Sequence, residues 1–381
     1  MKFLHTSDLH IGLRLCEYSM VADCRHILAE IADIAVREAC DAVIAAGDIY
    51  DKSAPSAEAV ALLDEFFSTL TRAGITVLAI SGNHDSPERV AYLSSVAKTA
   101  GLHLSPVYDG NCEKVTFEDD CGAVNVYLLP FVKPVTVRAV CKGFDGDTYT
   151  GAMECAVGRM DVDAGVRNVL VTHQFVVSGN AGDADDVGGT GAVAASVFDG
   201  FDYTALGHLH TAHPVGNGNV YYSGSPLKYS FAEAEDEKSV YLVELREKGD
   251  VSVERVMLHP LRDLREVRGT YEEVVHMGLH DPAKEDYIRV ILTDEEDVVD
   301  AVAKLRCVYP NLMRLTYDNL RTRAYREADV QIAEEAEDGT ITPESVFAEL
   351  FELQNNTAPD EELLDVVRGI FEVCMEGEID E

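Results

Sequence analysis

Five short segments of this sequence carry the side chains best suited to metal chemistry. They combine aspartate, histidine and asparagine, often beside glycine: Asp8-Leu9-His10, Gly47-Asp48-Ile49-Tyr50-Asp51, Gly82-Asn83-His84-Asp85, Thr172-His173-Gln174 and Gly207-His208-Leu209-His210. Imidazole nitrogens together with carboxylate oxygens suit Mn, Fe or Zn. A carboxylate shared by two such ions would hold them about 3.5–4 Å apart, the geometry for activating water against a phosphodiester. The segments therefore predict a two-metal site that hydrolyses phosphoesters.

No single segment is decisive, because a lone histidine at a strand end is more often a hydrogen-bonded structural residue than a ligand. The metal site is favoured because all five segments directly follow a predicted strand, with glycine permitting the turn. In open α/β sheets the carboxyl ends of the strands converge on one crevice. We therefore expect residues that are far apart in the sequence to meet there.

Apolar runs and helical spacing indicate an α/β fold for the first part of the chain. The predicted strands lie at 2–6, 42–46 and 75–80, and the predicted helices run from an N-cap at Asp23 to about Cys40, over 56–72 and over 87–100. Units of this kind imply a sheet covered by helices. Further strands predict a mixed sheet, with a hairpin at 115–129 and strands at 169–172, 203–206, 220–222, 239–245 and 251–258.

The character of the sequence changes near Pro260. A strand at 288–292, a helix over 295–307 and a strand at 312–317 predict a small α+β unit. An acidic linker and two amphipathic helices, at 343–354 and 359–375, complete the chain. We therefore expect a catalytic domain at 1–260, a small domain at 261–326, a linker at 327–341 and a helical hairpin at 342–381.

Composition points to a cytoplasmic protein. No apolar run is long enough for a membrane span, and the first residues do not resemble a signal peptide. The nine cysteines show no CxxC pairing, so we expect reduced thiols and not disulfides or zinc ligands.

Together with their surroundings, the five segments resemble the calcineurin-like metallophosphoesterase superfamily. Within it they are similar to the SbcD family, the nuclease subunits of bacterial SbcCD complexes. The family-level resemblance is carried by TSDLHIG at 6–12, AGDIYD at 46–51, GFDYTALGHLH at 200–210 and YSGSPLKYS at 222–230. It implies a two-sheet sandwich flanked by helices, a small α+β capping domain that contacts DNA, and a C-terminal helical hairpin.

The resemblance also implies a role for each site residue. The two implied ligand sets share a bridging Asp48 and are Asp8, His10, Asp48 and His210 for one ion and Asp48, Asn83, His173 and His208 for the other. His84 would contact the scissile phosphate, stabilising charge or protonating the leaving oxygen, while Asp85 orients its ring. Two Mn²⁺ ions are the expected cofactors.

By the same resemblance, the activities would be 3′–5′ exonuclease action on duplex DNA and endonuclease action on single strands and hairpins, serving DNA repair, recombination and replication. The expected partners are DNA and an SbcC-type coiled-coil ATPase. The hairpin would dock this ATPase through an apolar stripe: Phe347, Leu350, Phe351, Leu363, Val367 and Phe371. The helices at 56–72 and 87–100 would form a homodimer contact, giving an SbcC2–SbcD2 heterotetramer.

The net charge fits poorly with a DNA substrate. Lys and Arg number 31 against 68 Asp and Glu, a formal charge of −37, which is unfavourable for a phosphate backbone. DNA binding would depend on the metal ions, the partner and local arginines. The candidate arginines are Arg262, Arg265, Arg268, Arg314, Arg321, Arg323 and Arg326, for which ordinary surface charge is an equally good explanation.

Two other functions remain open. The first keeps the chemistry but changes the substrate, as in a phosphatase or a cyclic-nucleotide phosphodiesterase of the same superfamily. Such an esterase needs neither a capping domain nor a docking hairpin. The second is a non-catalytic dimeric scaffold for an ATPase. The intact set of ligands disfavours it, because a disused site should have lost some of its costly buried charges.

Overall fold

The computed structural model describes residues 1–178, 191–216 and 218–323, and residues 347, 348, 351, 359, 363, 364, 366 and 367. The chain divides into two compact units. The first comprises Met1–Glu266, Pro282–Arg289 and Tyr309–Arg314, and the second Val267–Asp281, Val290–Val308 and Leu315–Glu381. The predicted linker at 327–341 and most of the predicted hairpin at 342–381 lie outside the described residues.

The strands and helices of the described residues are as follows. The strands are β1 (Lys2–Thr6), β2 (Arg14–Leu15), β3 (Tyr18–Ser19), β4 (Ala42–Ala46), β5 (Thr76–Ile80), β6 (Leu102–Leu104), β7 (Glu113–Asp119), β8 (Gly122–Leu128), β9 (Arg167–His173), β10 (Val176–Val177), β11 (Val193–Ala194), β12 (Tyr203–Gly207), β13 (His213–Pro214), β14 (Val220–Tyr222), β15 (Ser239–Leu245), β16 (Val251–Met257), β17 (Leu264–Gly269), β18 (Tyr287–Leu292) and β19 (Leu312–Tyr317). The α-helices are α1 (Val21–Arg37), α2 (Ala57–Arg72), α3 (Pro87–Val90), α4 (Ser94–Ala97), α5 (Pro134–Val140), α6 (Tyr149–Gly158), α7 (Tyr271–His280) and α8 (Ala301–Leu305). In the part of the chain that is described, each helix is too short or too polar to span a membrane.

Two six-stranded sheets form the centre of the first unit. The first sheet has the order β16-β15-β1-β4-β5-β6 and the second the order β13-β14-β12-β9-β8-β7. Strands β1, β4, β5 and β6 run parallel in the first sheet, and β15 and β16 run antiparallel to their neighbours. In the second sheet β8, β9, β12 and β14 run parallel, and the edge strands β7 and β13 antiparallel.

Both faces of the central strands β1, β4, β5, β9 and β12 are buried, which explains why these strands read as continuous apolar runs. Phe3, Ile44 and Leu78 of the first sheet meet Val126 and Val171 of the second in a shared core. Their neighbours along β1, β4 and β5 face the other way, because side chains alternate along a strand, and pack against α1 and α2. Helices α5 and α6 cover the outer face of the second sheet. The predicted α/β fold class, a two-sheet sandwich flanked by helices, is confirmed.

The predicted N-cap of the first helix is wrong. Helix α1 begins at Val21, so that Asp23 lies within its first turn. The Asp23 carboxylate is buried and accepts hydrogen bonds from the Arg262 guanidinium at 3.0 and 2.7 Å and from the Tyr287 hydroxyl at 2.8 Å. Both partners are distant from Asp23 in the sequence. The carboxylate that was predicted to cap the helix therefore bonds to them instead.

The helix predicted over 87–100 is interrupted. Helix α3 ends at Val90, and Leu93 adopts the left-handed conformation, with a φ of 58°, before α4 begins. Val90 is buried, whereas Tyr92, Leu93 and Val96 are 72%, 56% and 62% exposed. Beyond Val90, therefore, the apolar side chains that suggested one helix do not pack against the part of the chain that the structure describes.

The second unit contains one wrong prediction and one missed helix. Of the helix predicted over 295–307, α8 alone forms. The carboxylate of Glu295 instead accepts a hydrogen bond from the backbone N–H of Leu320 at 3.2 Å. Helix α7 was not predicted, although Thr270 and Glu273 form a capping box at its start. Strands β17, β18 and β19 form a three-stranded sheet in that order.

A buried arginine at the start of β9 joins the two central sheets. Arg167 is 2% exposed and donates to both carboxylate oxygens of Asp119, at 2.9 and 2.5 Å. It also donates to the carbonyl groups of Gly122 at 2.6 Å, Leu245 at 3.2 Å and Arg246 at 2.7 Å. Because Asp119 and Gly122 belong to the second sheet and Leu245 to the first, these bonds tie the sheets together.

Replacing Arg167 by methionine should lower the free energy of unfolding by about 3 kcal/mol, the lower end of the range for a broken buried ion pair, since Asp119 is partly exposed. Urea denaturation measures this change. Arg246→Met is the matched control, because the Arg246 side chain is exposed and pairs with Glu244 and Asp250 at the surface. Its expected loss is much smaller than that of Arg167→Met, because exposed ion pairs contribute little to stability. Equal losses in the two variants would contradict the role given to Arg167.

Candidate functional site

The predicted site residues lie at the carboxyl ends of five strands. Asp8 follows β1, Asp48 follows β4 and Asn83 follows β5 in the first sheet. His173 is the last residue of β9, and His208 follows β12 in the second sheet. Within each sheet these strands run parallel to one another, so the side chains collect at one edge of the sandwich.

The backbone turns sharply where these strands end. Positive φ angles occur at Asp8 (51°), His10 (41°), Asp48 (48°) and His208 (109°). Such conformations cost of order 1–3 kcal/mol each in a residue other than glycine, and they persist where the surrounding structure enforces them. Their concentration at one edge of the sandwich marks it as a functional site.

Two glycines allow the site residues to approach each other. Gly47 has a φ of +91°, and a Cβ there would overlap the His173 imidazole. A Cβ at Gly82 would overlap the Asp48 carboxylate. Any larger residue at either position would therefore displace a site side chain, so glycine serves close approach here as well as the turn.

One group of possible metal ligands consists of Asp8, His10 and His210, whose ligand atoms lie within 4.8 Å of one another. The Nε2 atoms of His10 and His210 face each other at 3.2 Å. His10 Nδ1 is buried and has no hydrogen-bond partner. Nitrogen lone pairs that converge beside a buried carboxylate are a donor set suited to a divalent transition metal.

The remaining predicted ligands form a second group beside the first. Asn83 Oδ1 lies 3.0 Å from His173 Nε2 and 2.9 Å from His208 Nδ1. Asp48 Oδ2 lies 3.2 Å from His173 Nε2 and 3.8 Å from His10 Nε2. Asp48 thus lies between the two groups, and the structure brings all seven predicted ligands together. The residues present therefore fit a pair of divalent ions.

Burial and mutual contact shift the pKa values of these groups in different directions. Burial alone would lower the pKa of His173, but its hydrogen bond and charge interaction with Asp48 outweigh burial and raise this pKa to about 9. The same contact overcomes burial at Asp48 and holds the pKa of its carboxyl well below the usual range. Burial lowers the pKa of His10 to about 3 and that of His208 to about 4. Without metal, therefore, His173 carries a proton and His10 and His208 are neutral.

His210 is held by residues that sequence reasoning missed. Its Nδ1 donates to Glu233 Oε1 at 3.2 Å, and Lys238 Nζ donates to Glu233 Oε2 at 2.6 Å. This contact fixes the tautomer in which His210 Nε2 presents its lone pair to the site. Glu233 and Lys238 carry no motif, so nothing in the sequence distinguished them.

Asp8 is oriented by a chain of hydroxyl groups. Ser223 Oγ donates to Ser7 Oγ at 2.8 Å, and Ser7 Oγ donates to Asp8 Oδ2 at 2.5 Å. The backbone N–H of His208 also donates to the Asp8 carboxylate at 3.1 Å. Ser7 and Ser223 belong to the segments that carry the family resemblance, and these hydrogen bonds give both residues a physical role.

His84 lies at the exposed edge of the site. Its ring meets that of His10 edge-on, with centroids 4.9 Å apart. Its Nδ1 lies 3.2 Å from the carbonyl oxygen of Asp51, so Nδ1–H donates to that carbonyl. This contact leaves Nε2 of His84 free to face a ligand.

The prediction that Asp85 orients the His84 ring is wrong. The Asp85 carboxylate accepts hydrogen bonds from the backbone N–H groups of Ile49 at 3.0 Å, Tyr50 at 2.9 Å and Gly82 at 2.9 Å. Asp85 therefore fastens the loop after β4 to the loop after β5. The family resemblance implied that Asp85 pairs with His84, but the two side chains contact different partners.

Most of the arginines considered for DNA contact are engaged in ion pairs. The pairs are Arg262 with Asp23, Arg265 with Asp286, Arg268 and Arg323 with Asp318, and Arg321 with Asp297. Arg326 lies outside the described residues. A guanidinium neutralised by a carboxylate attracts a phosphate weakly, so the surface-charge explanation accounts for these five residues.

Some of the residues expected to dock an ATPase are described. The Phe347 and Phe351 rings lie 5.8 Å apart, and Val367 is buried, with 8% exposure. Leu363 is half-buried, and Leu350 and Phe371 lie outside the described residues. At Val367 the predicted stripe is therefore already covered within the chain.

Comparison with known proteins gives the family. The model of the calcineurin-like phosphoesterase family matches residues 1–212, and that of the type 5 capsule protein repressor C-terminal domain matches residues 260–355. The SbcD subunit of the nuclease SbcCD from Staphylococcus epidermidis is 30% identical over 322 residues, which are 83% of this chain and 85% of that protein. The chain therefore belongs to the calcineurin-like phosphoesterase family and, within it, to the SbcD family of nuclease subunits.

Two solved structures show a weaker likeness. A protein of Thermus thermophilus is 12% identical, with a TM-score of 0.40, over 67% of this chain and 98% of that one. A dimetal phosphatase from Danio rerio is 12% identical, with a TM-score of 0.39, over 68% of this chain and 96% of that one. The family match and the ligand groups together define a divalent-metal-dependent site.

The raised pKa of His173 predicts that metal binding depends on pH. A metal ligand must offer a free lone pair, whereas His173 holds a proton up to a pH of about 9 in the metal-free protein. Binding at this group must release that proton, so the apparent affinity for Mn²⁺ should rise by up to about tenfold per pH unit below pH 9.

Calorimetric Mn²⁺ titration at two pH values, in buffers with different ionisation enthalpies, measures the release. About one proton per ion is expected at the group that contains Asp48 and His173. His173→Asn is the control and should abolish this release. Equal affinity at both pH values with the native chain would refute the assignment.

Proposed function

We propose that this chain is the metal-dependent DNA nuclease subunit of an ATPase–nuclease complex in DNA repair, recombination and replication. Its activities would be 3′–5′ exonuclease action on duplex DNA and endonuclease action on single strands and hairpins. The observation that carries the proposal is the convergence of Asp8, Asp48 and their five Asn and His companions at one edge, in a chain of the SbcD family.

The ligand residues would hold two divalent ions, for which Mn²⁺ is our choice. Asp8, His10, Asp48 and His210 would hold one, and Asp48, Asn83, His173 and His208 the other. When bound, such ions supply Lewis-acid polarisation of a phosphodiester and activation of water. The glycines and the outer contacts from Glu233 and Ser7 keep the ligand atoms in place, so that little reorganisation accompanies the reaction.

His84 would act on the substrate directly. The Asp51 carbonyl accepts from its Nδ1–H and fixes the ring, so Nε2 would be the nitrogen that contacts a bound phosphate. When protonated, Nε2–H can donate a hydrogen bond to the developing charge or transfer its proton to the leaving 3′ oxygen. His84 thus has a role distinct from that of the seven ligands.

We propose two interaction surfaces, one for an ATPase partner and one for a second copy of this chain. The hairpin at 342–381 would dock the base of the coiled coil of an SbcC-type ATPase through residues such as Phe347 and Phe351. A homodimer would use α2 and the segment after α3, where Val60, Tyr92 and Leu93 expose apolar side chains. Exposed apolar groups in one region are typical of an interface. We place the resulting heterotetramer in the cytoplasm.

The competing functions are separated by one assay. The full chain with Mn²⁺ and its ATPase partner should degrade 5′-labelled duplex DNA. Robust cleavage of a small phosphodiester without any cleavage of DNA would favour a phosphatase or a cyclic-nucleotide phosphodiesterase. No hydrolysis of either substrate, together with normal partner binding, would favour the non-catalytic scaffold.

Two substitutions should have different effects in this assay. Asp48→Ala should lose bound metal and activity together, because it removes the carboxylate shared by both groups. His84→Ala should keep its metal and lose about 10²–10⁴-fold in turnover, the range for a general acid. Metal analysis and DNA cleavage measure both effects, with His276→Ala, an exposed histidine remote in sequence from every motif, as control. Equal activity in the four proteins would refute the proposed site.

Deletion of residues 342–381 tests the docking proposal. The truncated chain should no longer co-purify with the ATPase, while its metal content stays at the level of the full chain. The metal measurement controls for misfolding, because the ligands lie at the sheet edge of the first unit. A truncated chain that still binds the ATPase would show that another surface mediates the contact.

A further inference from the structure

A cavity of about 290 Å³ opens beside the metal site. Asn83 and His208 line one side, and the other lining residues include Phe131, Lys133, Tyr149 and Phe175. We propose that this cavity binds one nucleotide next to the scissile phosphate, with Lys133 contacting a backbone phosphate and the aromatic rings contacting the base. The proposal rests on the proposed nuclease function and deepens it.

The position of the cavity makes it part of the substrate path. Asn83 and His208 are candidate ligands, so a phosphodiester bound at the metal site has its next nucleotide within reach of this cavity. Pockets for small ligands begin at about 300 Å³. The cavity therefore lies at the small end of the range for ligand pockets, and we assign it a single nucleotide.

Two phenylalanine rings lie between the cavity and the site. The Phe131 ring centroid is 6.3 Å from that of His173, and the Phe175 centroid is 6.4 Å from that of His208. Both phenylalanines are half-buried and line the cavity with their remaining surface. Every base has a π-face, so stacking on such rings tolerates any sequence. That property suits an enzyme that degrades DNA without reading its sequence.

The segment that carries Phe131 and Lys133 is fixed before any ligand arrives. The backbone N–H of Phe131 donates to the Ser81 carbonyl at 2.9 Å. The side chain of Gln174, which is fully buried, donates to the Val132 carbonyl at 3.0 Å. A preorganised binding segment loses little conformational freedom on binding, which favours affinity for the ligand.

Packing against the imidazoles of His173 and His208 would by itself explain the two phenylalanine rings. It does not explain the position of Lys133. Lys133 is exposed. The ion pairs that lysines form across residues 1–178, 191–216 and 218–323 do not include Lys133. The paired arginines described above differ in this respect. What distinguishes Lys133 from an ordinary surface lysine is its position in the cavity lining beside Asn83 and His208, where an ammonium group can attract a DNA phosphate despite the formal charge of −37.

Lys133→Ala tests the phosphate contact. With the full chain, Mn²⁺ and the ATPase partner, kcat/KM for DNA should fall about tenfold at low salt, and the slope of log(kcat/KM) against log[salt] should become shallower by about 0.7–0.9. Lys142→Ala is the matched control, because Lys142 is an exposed lysine beyond the other end of α5 and does not line the cavity. An unchanged salt slope in Lys133→Ala, or the same change in both variants, would overturn the phosphate contact.

Phe175→Ala tests the base contact. Its kcat/KM for DNA should fall about five- to tenfold, within the range for one lost base stack. Phe175→Tyr keeps an aromatic face and should restore most of the loss. If Phe175→Ala does not fold, as judged by its metal content and thermal unfolding, Phe175→Leu takes its place. Full activity in the alanine or leucine variant would refute the role of the ring.

A small substrate separates this proposal from the nuclease proposal. The losses in Lys133→Ala and Phe175→Ala should be several-fold larger on DNA than on methyl p-nitrophenyl phosphate, which has no neighbouring nucleotide. Equal losses on both substrates would mean that the residues act on the metal site, and the subsite would be wrong. A native chain that hydrolyses the small diester but no DNA would refute the nuclease function itself.

Discussion

Two carboxylates buried at one edge of an apolar sandwich are the constraint on which the rest of the structure depends. Asp8 and Asp48 are each at most 2% exposed, and like charges at this depth are costly unless they are compensated. The protein compensates them with imidazoles, backbone N–H groups and a serine hydroxyl. A divalent metal completes this compensation, which is why the ligand set, the strained backbone and the small residues occur together.

The two sheets together position the residues that compensate these charges. Parallel strands of both sheets end at the same edge, so short loops can bring side chains from five strands into contact. Asp85 fastens two of these loops, and Gly47 lets His173 of the second sheet lie against the first. Arg167, at the beginning of β9, ties the sheets together six residues before that strand reaches the site at His173.

The acidic composition is consistent with a nuclease once charge is considered locally. Interactions between exposed charges are screened beyond about 8–10 Å at ordinary ionic strength, so the field at the site depends on its neighbours more than on the net charge. Arginines such as Arg262 and Arg268 are paired with carboxylates. Under the proposed function, attraction for phosphate would be left to the metal site, to a lysine such as Lys133 beside it and to a partner protein.

The sequence by itself determined the central strands and the ligand types. Buried strands such as β1, β4 and β14 are short apolar runs with clear ends, and the Asp, His and Asn motifs follow strands of this kind directly. It also contained a signal for helix α7 that the predictions missed, the capping box of Thr270 and Glu273. Only the tertiary structure decided what each polar side chain contacts. Asp23 binds Arg262 and not a helix end, Asp85 binds backbone and not His84, and Glu233 holds His210 without any motif. The physical reason is that periodicity and turn chemistry are local, whereas a hydrogen-bond partner is chosen by packing between segments that are distant in the chain.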